Sequence, residues 1–357
     1  MRITVLLGGF SAERDVSLAS GLRIAAALRT RGHTVTCVDP AAGELTEARE
    51  RALIAEGVGT EPPSLEALAS LGGSGGGIAP GIVEWPAVRD ADVVFLALHG
   101  GQGEDGTLQA LFDMAGVRYT GSGHLGSALA MDKHLSKILF RAAGVGTADW
   151  VMAPPPSADD VVRSRFRRDV EAIGYPIVVK PSKQGSTVGL TIVRDGGDLD
   201  AAVAEAFRYD DEVMAERFVA GRELTVGILG GVALPVIEIV SRNEIYDYHA
   251  KYTAGMAEEF VADLGPDAVR RLHEQSRLAF EALKLRGYAR IDFRMDELGN
   301  FFCLEANTLP GMTELSLIPQ AAAAAGILFP ELCERIVSMA ADSGNRSPDA
   351  RGSAVGI

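Results

Sequence analysis

Arg290, Asp292 and Glu305 fall on a segment that reads as a hairpin, Ala289 to Ala306, turned at Asp296-Glu297-Leu298-Gly299-Asn300, and Asn307 directly follows it. Residues two apart on a strand share a face, so each of these pairs has one parity on its own strand. If the turn closes the hairpin, Asp292 lies opposite Leu304 or Glu305, and Asp292, Glu305 and Asn307 converge as hard oxygen donors. That set suits Mg²⁺, which takes one or two carboxylates and fills its other positions with water and substrate phosphates. Ile291, Phe293, Phe302 and Leu304 interleave with the carboxylates, which predicts that both strands are central. A carboxylate on a central strand needs a cation; Arg290 supplies one fixed charge and a metal the rest. The plainer alternative is a solvent-facing hairpin carrying ordinary charges.

A second group is the loop Lys180-Pro181-Ser182-Lys183-Gln184-Gly185-Ser186-Thr187-Val188-Gly189 between two short apolar strands. Glycines and small hydroxyl residues let successive backbone N–H groups close around a phosphate, with Lys180 reaching it from the strand end. The order G-x-x-x-x-G-K-[ST] is absent, so a plain surface hairpin is the competing reading. Lys133 is a further cation and, taken alone, a solvated helix lysine.

The third group, Gly8-Gly9-Phe10-Ser11-Ala12-Glu13-Arg14, follows the first strand at the edge where open parallel sheets bind ligands. The dinucleotide fingerprint G-x-G-x-x-G is missing, and Glu13 would repel a pyrophosphate, which makes an ammonium the better guest. His99 ends the strand Val93 to Leu98 at an equivalent mouth, although a lone histidine is more often structural. Together these residues describe a site for Mg²⁺, a nucleoside triphosphate and a zwitterion.

Positioning them takes several elements. The first third alternates strand and helix: Ile3 to Leu7, about Asp15 to Arg31, His33 to Val38, Val93 to Leu98, and Gly106 to Ala115, as in a parallel doubly wound sheet. Pro62, Pro63 and the run Gly72 to Gly77 mark a flexible insertion over about 57–87. A helix from Ala130 to Ala143, with Met131, Leu135, Ile138 and Leu139 on one face, leads into a second unit. A third unit has strands Leu224 to Leu229 and Val232 to Val240, a helix from Pro266 to Leu285 and the hairpin. The expected division is 1–123, 124–215 and 216–341, with a lid loop at 241–256 and a frayed tail at 342–357.

The 357 residues suffice for two or three domains, and 47% hydrophobic with 23% charged residues is a globular composition. A net charge of −14 with no basic stripe argues against nucleic acid. No apolar run approaches the ~18 residues that span a bilayer, and no signal segment is evident, so a cytoplasmic protein is expected. Cys37, Cys303 and Cys333 are scattered and odd in number, which fits reduced buried thiols.

The ordered set VLLGGFSAERDVSLASG, ALHGGQGEDGTLQ, YTGSG, MDK, VVKPSKQGSTVG, YDYHAKY, ARIDFR and LEANTLPGMTELSLIP resembles the D-alanine–D-alanine ligase family of the ATP-grasp superfamily over about Ile3 to Val337. The resemblance implies an α/β ATP-grasp fold of α+β lobes behind a Rossmann-like N-terminal domain. It implies that two D-alanines are joined with ATP through a D-alanyl phosphate, for peptidoglycan precursors. Lys133, Lys180 and Lys251 would hold the ATP phosphates, Glu216 and Glu223 would contact adenine and ribose, and Asp292, Glu305 and Asn307 would bind two Mg²⁺, with Mn²⁺ as a substitute. Glu13, Ser186 and Tyr252 match a triad that holds the first D-alanine and the mobile loop; His99, Ser316 and Leu317 match further substrate contacts. Arg290 and the Gly311 N–H match the pair that stabilises the tetrahedral intermediate. Gln184 and His249 stand where a Glu can occur in the family. A homodimer is expected, with no nucleic-acid or membrane partner.

The nearest alternative is the same fold making D-alanyl-D-lactate or D-alanyl-D-serine, against which Lys251-Tyr252 weighs. A non-catalytic nucleotide-binding protein is disfavoured by the complete set of charged residues. A nicotinamide dehydrogenase is disfavoured by the missing glycine fingerprint.

Overall fold

The computed structural model describes residues 1–57, 59, 63, 71, 77–241 and 256–342. The first unit is laid down by β1 (Arg2–Leu6), α1 (Arg14–Thr30), β2 (Thr34–Asp39), β3 (Gly43–Glu44), α2 (Glu47–Glu56), α3 (Pro86–Arg89), β4 (Val93–Leu96) and α4 (Thr107–Ala115). Its sheet has the order β3-β2-β1-β4, with β2, β1 and β4 parallel. Strands buried on both faces read as unbroken apolar runs, which is why β4 is Val-Val-Phe-Leu. Its alternate residues divide between two cores: Val93 and Phe95 pack towards α1, Val94 and Leu96 towards Phe112 of α4. The expected doubly wound sheet is therefore present.

The flexible insertion expected over about 57–87 needs correction at its C-terminal end. Residues Pro80–Glu84 form a 3₁₀ turn and Pro86 opens α3, and the buried Ile82 and Val88 join the α4 side of the core. The two prolines sit at first helical positions, where a missing N–H costs nothing.

The second unit follows α5 (His124–Met131) and α6 (Lys133–Ala142) and comprises β5 (Trp150–Met152), α7 (Asp160–Ile173), β6 (Ile177–Pro181), β7 (Thr191–Val193), α8 (Leu199–Ala206) and β8 (Val213–Arg217). Its antiparallel sheet has the order β5-β8-β6-β7, so Glu216 and Arg217 belong to this sheet. The single helix expected from Ala130 to Ala143 is broken at Asp132, whose side chain accepts the Leu135 N–H and caps α6. The expected apolar face is also rotated. Leu135 and Ile138 are exposed, and α6 buries Lys133, Ser136, Lys137 and Phe140.

The third unit contains β9 (Arg222–Leu229), β10 (Val232–Ala233), β11 (Ile237–Ser241), β12 (Ala257–Val261), α9 (Pro266–Ala282), β13 (Tyr288–Met295), β14 (Phe301–Asn307), α10 (Leu317–Ala324) and α11 (Phe329–Asp342). The strand expected over Val232 to Val240 is split in two, with Pro235, which has no N–H to give a ladder, between the pieces. The sheet order is β12-β11-β9-β13-β14, with β10 on β9. Thus β13 is central as expected, but β14 is an edge. That edge is covered: the Cys303 N–H donates to Gly146 O at 2.7 Å and Thr147 Oγ1 donates to Cys303 O at 2.8 Å. Beyond the elements expected from sequence, α11 packs Leu332, Cys333, Ile336 and Val337 into the same core as Leu18 and Leu22 of α1. The three cysteines are buried and free.

Candidate active site

The hairpin sets the first part of the site. Across β13 and β14, Arg290 pairs with Asn307 and Asp292 with Glu305, so these side chains share one face. The register then shifts between Asp292 and Phe293, which lies opposite Cys303. The extra residue on β14 lets adjacent Leu304 and Glu305 both line a cleft while Phe293 and Cys303 stay in the core.

Asp292 is buried and fully engaged. Its Oδ1 accepts from Thr225 Oγ1 at 2.6 Å and from Arg290 Nε at 2.9 Å; its Oδ2 accepts from Arg290 Nη2 at 2.8 Å and from Asn307 Nδ2 at 2.9 Å. Glu305 meets Lys133 Nζ at 3.1 Å. Among the described residues there is no group of three or more His, Cys, Asp or Glu able to hold a metal. The donor set is two carboxylates and an amide, which fits a Mg²⁺ that takes its remaining ligands from water and phosphates, and does not fit Zn²⁺ or an all-protein Ca²⁺ cage.

Lys133 is no solvated helix lysine. It is buried, and its Nζ also donates to Gln184 O at 2.7 Å. One turn on along α6, Lys137 is wholly buried, donating to Thr147 Oγ1 at 2.6 Å and to Glu216 Oε1. Lys180 holds the other Glu216 oxygen at 2.5 Å. Burial alone would raise the Glu216 carboxyl, but the Lys137 and Lys180 charges outweigh it and hold it down at about 2. Burial lowers the Lys137 ammonium despite Glu216 beside it. Glu223 on β9 faces Arg294 on β13 at 3.0 Å.

The loop after Lys180 reaches out of its own unit. Ser186 and Thr187 both have left-handed backbones, φ +49° and +60°, conformations that cost non-glycine residues about 1–3 kcal/mol each and cluster at functional sites. There the Ser186 hydroxyl donates to Glu13 Oε1 at 2.5 Å. Glu13 stands just before α1, beyond the turn where Gly8 and Gly9 take φ +80° and +79°.

Two clefts result. One, of about 850 Å³, is lined by Glu13, His99, Glu104, Gly311, Ser316 and Leu317. The other, of about 1010 Å³, is lined by Lys180, Glu216, Val219, Glu223, Asp292 and Leu304. Lys133, Ser186, Arg290 and Glu305 line both, so the clefts meet at one shared wall.

In the first cleft, His99 Nδ1 bonds Leu309 O at 2.8 Å, its Nε2 is buried with no partner among the described residues, and burial pushes its pKa down. Glu104 accepts the N–H groups of Gly100 at 2.9 Å and Leu309 at 3.2 Å. Burial, then the nearby Glu13 charge, raises its carboxyl to about 7. Ser316 stands at the N-cap position of α10 without a capping bond from its side chain, and its Oγ instead accepts the Thr313 N–H at 2.9 Å. A Cβ on Gly311 would come within 2.8 Å of that Oγ, so any larger residue would displace the Ser316 hydroxyl.

The structure thus gathers Glu13, His99, Lys133, Lys180, Ser186, Glu216, Glu223, Arg290, Asp292, Glu305, Asn307, Gly311, Ser316 and Leu317 around two joined clefts. Lys251 and Tyr252, with residues 242–255 of the expected lid, lie outside the described residues, as does the tail from 343, whereas Ser241 ends β11. Sequence reasoning missed Lys137, Glu104 and Arg294. Lys137 could have been found, because it stands four residues after Lys133 and therefore on the same helical face.

Comparison with known proteins shows the family. Residues 2–122 match the family model described as D-ala D-ala ligase N-terminus, and residues 139–338 match D-ala D-ala ligase C-terminus. A D-alanine–D-alanine ligase from Geobacter sulfurreducens is 42% identical over 338 residues, covering 94% of this chain and 93% of its own. The structure of a D-alanine–D-alanine ligase from Bacillus anthracis complexed with ATP superposes with a TM-score of 0.74 at 31% identity, covering 96% of this chain and 98% of that one. The VanG D-Ala:D-Ser ligase from Enterococcus faecalis superposes with a TM-score of 0.76 at 27% identity, over 95% and 98% of the two chains. With both family models matched and a relative 42% identical over 94% of the chain, this chain belongs to the D-alanine–D-alanine ligase family.

Proposed function

We propose that the protein joins two D-alanines into D-alanyl-D-alanine at the expense of ATP, supplying peptidoglycan precursor synthesis. The observation that carries this reading is the shared wall of Lys133, Ser186, Arg290 and Glu305, where a phosphate donor in one cleft meets an amino acid in the other. A carboxylate is a poor electrophile. Attack of the donor carboxylate oxygen on the γ-phosphorus of ATP forms a D-alanyl phosphate and releases ADP. The acceptor amine then attacks the acyl carbon, forming the amide and releasing phosphate and a proton.

The residues divide this work by position. Glu13, held by Ser186, takes the donor ammonium, and His99 lines the same end of the cleft. Ser316 and Leu317, at the start of α10, receive the acceptor carboxylate where helix N–H groups favour an anion. Arg290 and the Gly311 N–H stand beside the developing oxyanion; one such donor is worth about 3–4 kcal/mol in hydrolases. Lys133 and Lys180 neutralise the phosphates, since phosphoryl transfer is mostly positioning and charge compensation. Glu216 and Glu223 line the nucleotide cleft for adenine and ribose. Asp292, Glu305 and Asn307 would hold Mg²⁺ or Mn²⁺, which supplies further neutralisation of the phosphates.

A cytoplasmic homodimer completes the reading, supported by the free buried cysteines for a reducing compartment and by family resemblance for the dimer. Among the described residues no helix is long and apolar enough to cross a membrane. The test is to incubate the protein with ATP, Mg²⁺ and D-alanine, alone or with D-lactate or D-serine, and identify products by mass. D-Alanyl-D-alanine as the main product supports the proposal. A product only with D-lactate or D-serine selects the alternative acceptor, and turnover of L-alanine alone refutes the substrate assignment.

A further inference from the structure

The loop from Thr308 to Ser316 joins β14 to α10, yet side chains of the first unit hold its backbone. Glu104 takes the Leu309 N–H and His99 binds the Leu309 carbonyl. Ser20 Oγ, wholly buried on α1, accepts the Met312 N–H at 3.0 Å. One turn further along α1, Arg23 Nη1 donates to two successive carbonyls, Met312 O at 2.9 Å and Thr313 O at 2.8 Å. The same guanidinium stacks 3.6 Å from the centre of the Phe329 ring.

These contacts are placed to matter. The Met312 N–H belongs to the Gly311–Met312 peptide and the Met312 carbonyl to the Met312–Thr313 peptide, so Ser20 and Arg23 fix both planes flanking Met312. Thr313 in turn donates its N–H to Ser316 Oγ, which closes the loop on itself. Gly311 lies immediately before the first pinned plane and Ser316 three residues after Thr313. A charged donor bridging two carbonyls is a strong, directional restraint.

We infer that Arg23 is a positioning residue for the acceptor half of the site: from α1 it sets the loop that carries Gly311 and Ser316, and so governs binding of the second substrate. This rests on the acceptor reading of Ser316 proposed above. Arg23 acts through the loop backbone, so donor activation and nucleotide binding are independent of it.

The test compares the parent with Arg23→Gln, Arg23→Lys and Phe329→Leu. Arg23→Gln raises the acceptor KM about tenfold or more, the scale expected for losing hydrogen bonds from a charged donor. It leaves the ATP KM and the KM of the first D-alanine within about twofold. Arg23→Lys, which keeps a donor but loses the stacked plane, falls between. Phe329→Leu removes the stacking partner alone and lowers the melting temperature without moving the acceptor KM. Hydrogen exchange across residues 309–316 of the free protein gives a readout independent of any reaction, rising in Arg23→Gln and not in Phe329→Leu. An unchanged acceptor KM, a parallel rise in the ATP KM or in the KM of the first D-alanine, or unchanged exchange in the loop overturns the inference. If the parent forms no dipeptide while exchange still rises in Arg23→Gln, the proposed reaction fails and the restraint on the loop stands.

Discussion

Ser186 donates its hydroxyl proton to Glu13 Oε1 at 2.5 Å, tying the loop after β6 to the start of α1 across 173 positions of sequence. The bond closes the shared wall of the two clefts, and its acceptor is the carboxylate assigned to the donor ammonium. A hydrogen bond to a charged group contributes about 1.5–3 kcal/mol, so Ser186→Ala should lower kcat/KM for D-alanine roughly 10- to 100-fold. The loop is not part of a core, so the melting temperature should change little. Steady-state kinetics beside a thermal scan would check this, and parent-like kinetics would remove Ser186 from the site.

Asp292 and Glu305 should respond differently although they face each other on the hairpin. Both Asp292→Asn and Glu305→Gln should abolish turnover if they hold Mg²⁺. Asp292 also carries the part-buried ion pair to Arg290 and the buried bond from Thr225. Asp292→Asn should therefore lose about 1–3 kcal/mol of stability as well, whereas Glu305→Gln, whose residue is more open, should lose little. Chemical denaturation separates the two, and near-normal turnover of either at saturating Mg²⁺ would refute the metal assignment.

Lys137 is the buried counter-ion of Glu216. Removing one member of a buried ion pair typically costs about 3–5 kcal/mol, so Lys137→Met should be strongly destabilised. It should also bind ATP more weakly, because among the described residues Lys180 would then be the carboxylate's sole partner. The Glu216 carboxyl lies at about 2, below its ordinary 4.5, so its contribution to stability is full above about pH 4.5 and is lost as pH falls towards 2. Acid unfolding in the parent should show that loss, with a flatter profile in Lys137→Met.

Glu104 has the opposite sign. Its folded pKa of about 7 lies above the ordinary 4.5, so the folded state holds the extra proton between those values. Stability linked to this group is full below about pH 4.5 and falls as pH rises towards 7. Glu104→Gln should flatten that slope, and urea midpoints measured from pH 5 to 8 would show it. A parent profile no steeper than the variant's would contradict the assignment.

Much of the site was legible because its chemistry follows local rules. Parity along a strand put Asp292 with Arg290 and Glu305 with Asn307, glycine placement marked the turns at Gly8 and Gly9, and unbroken apolar runs announced the parallel strands. Tertiary structure decided the rest. A one-residue register shift selected Glu305 over Leu304 as the partner of Asp292, and it depends on how both strands meet the core, which spacing does not encode. The buried face of α6 carries Lys133 and Lys137 where apolar periodicity pointed to Leu135 and Ile138, because Glu216 and Glu305 on other strands compensate those charges. The bonds from Ser186 to Glu13 and from Arg23 to Met312 and Thr313 join segments far apart in the chain. Local propensity specifies elements; which distant elements share a wall is fixed only when their apolar faces are buried together.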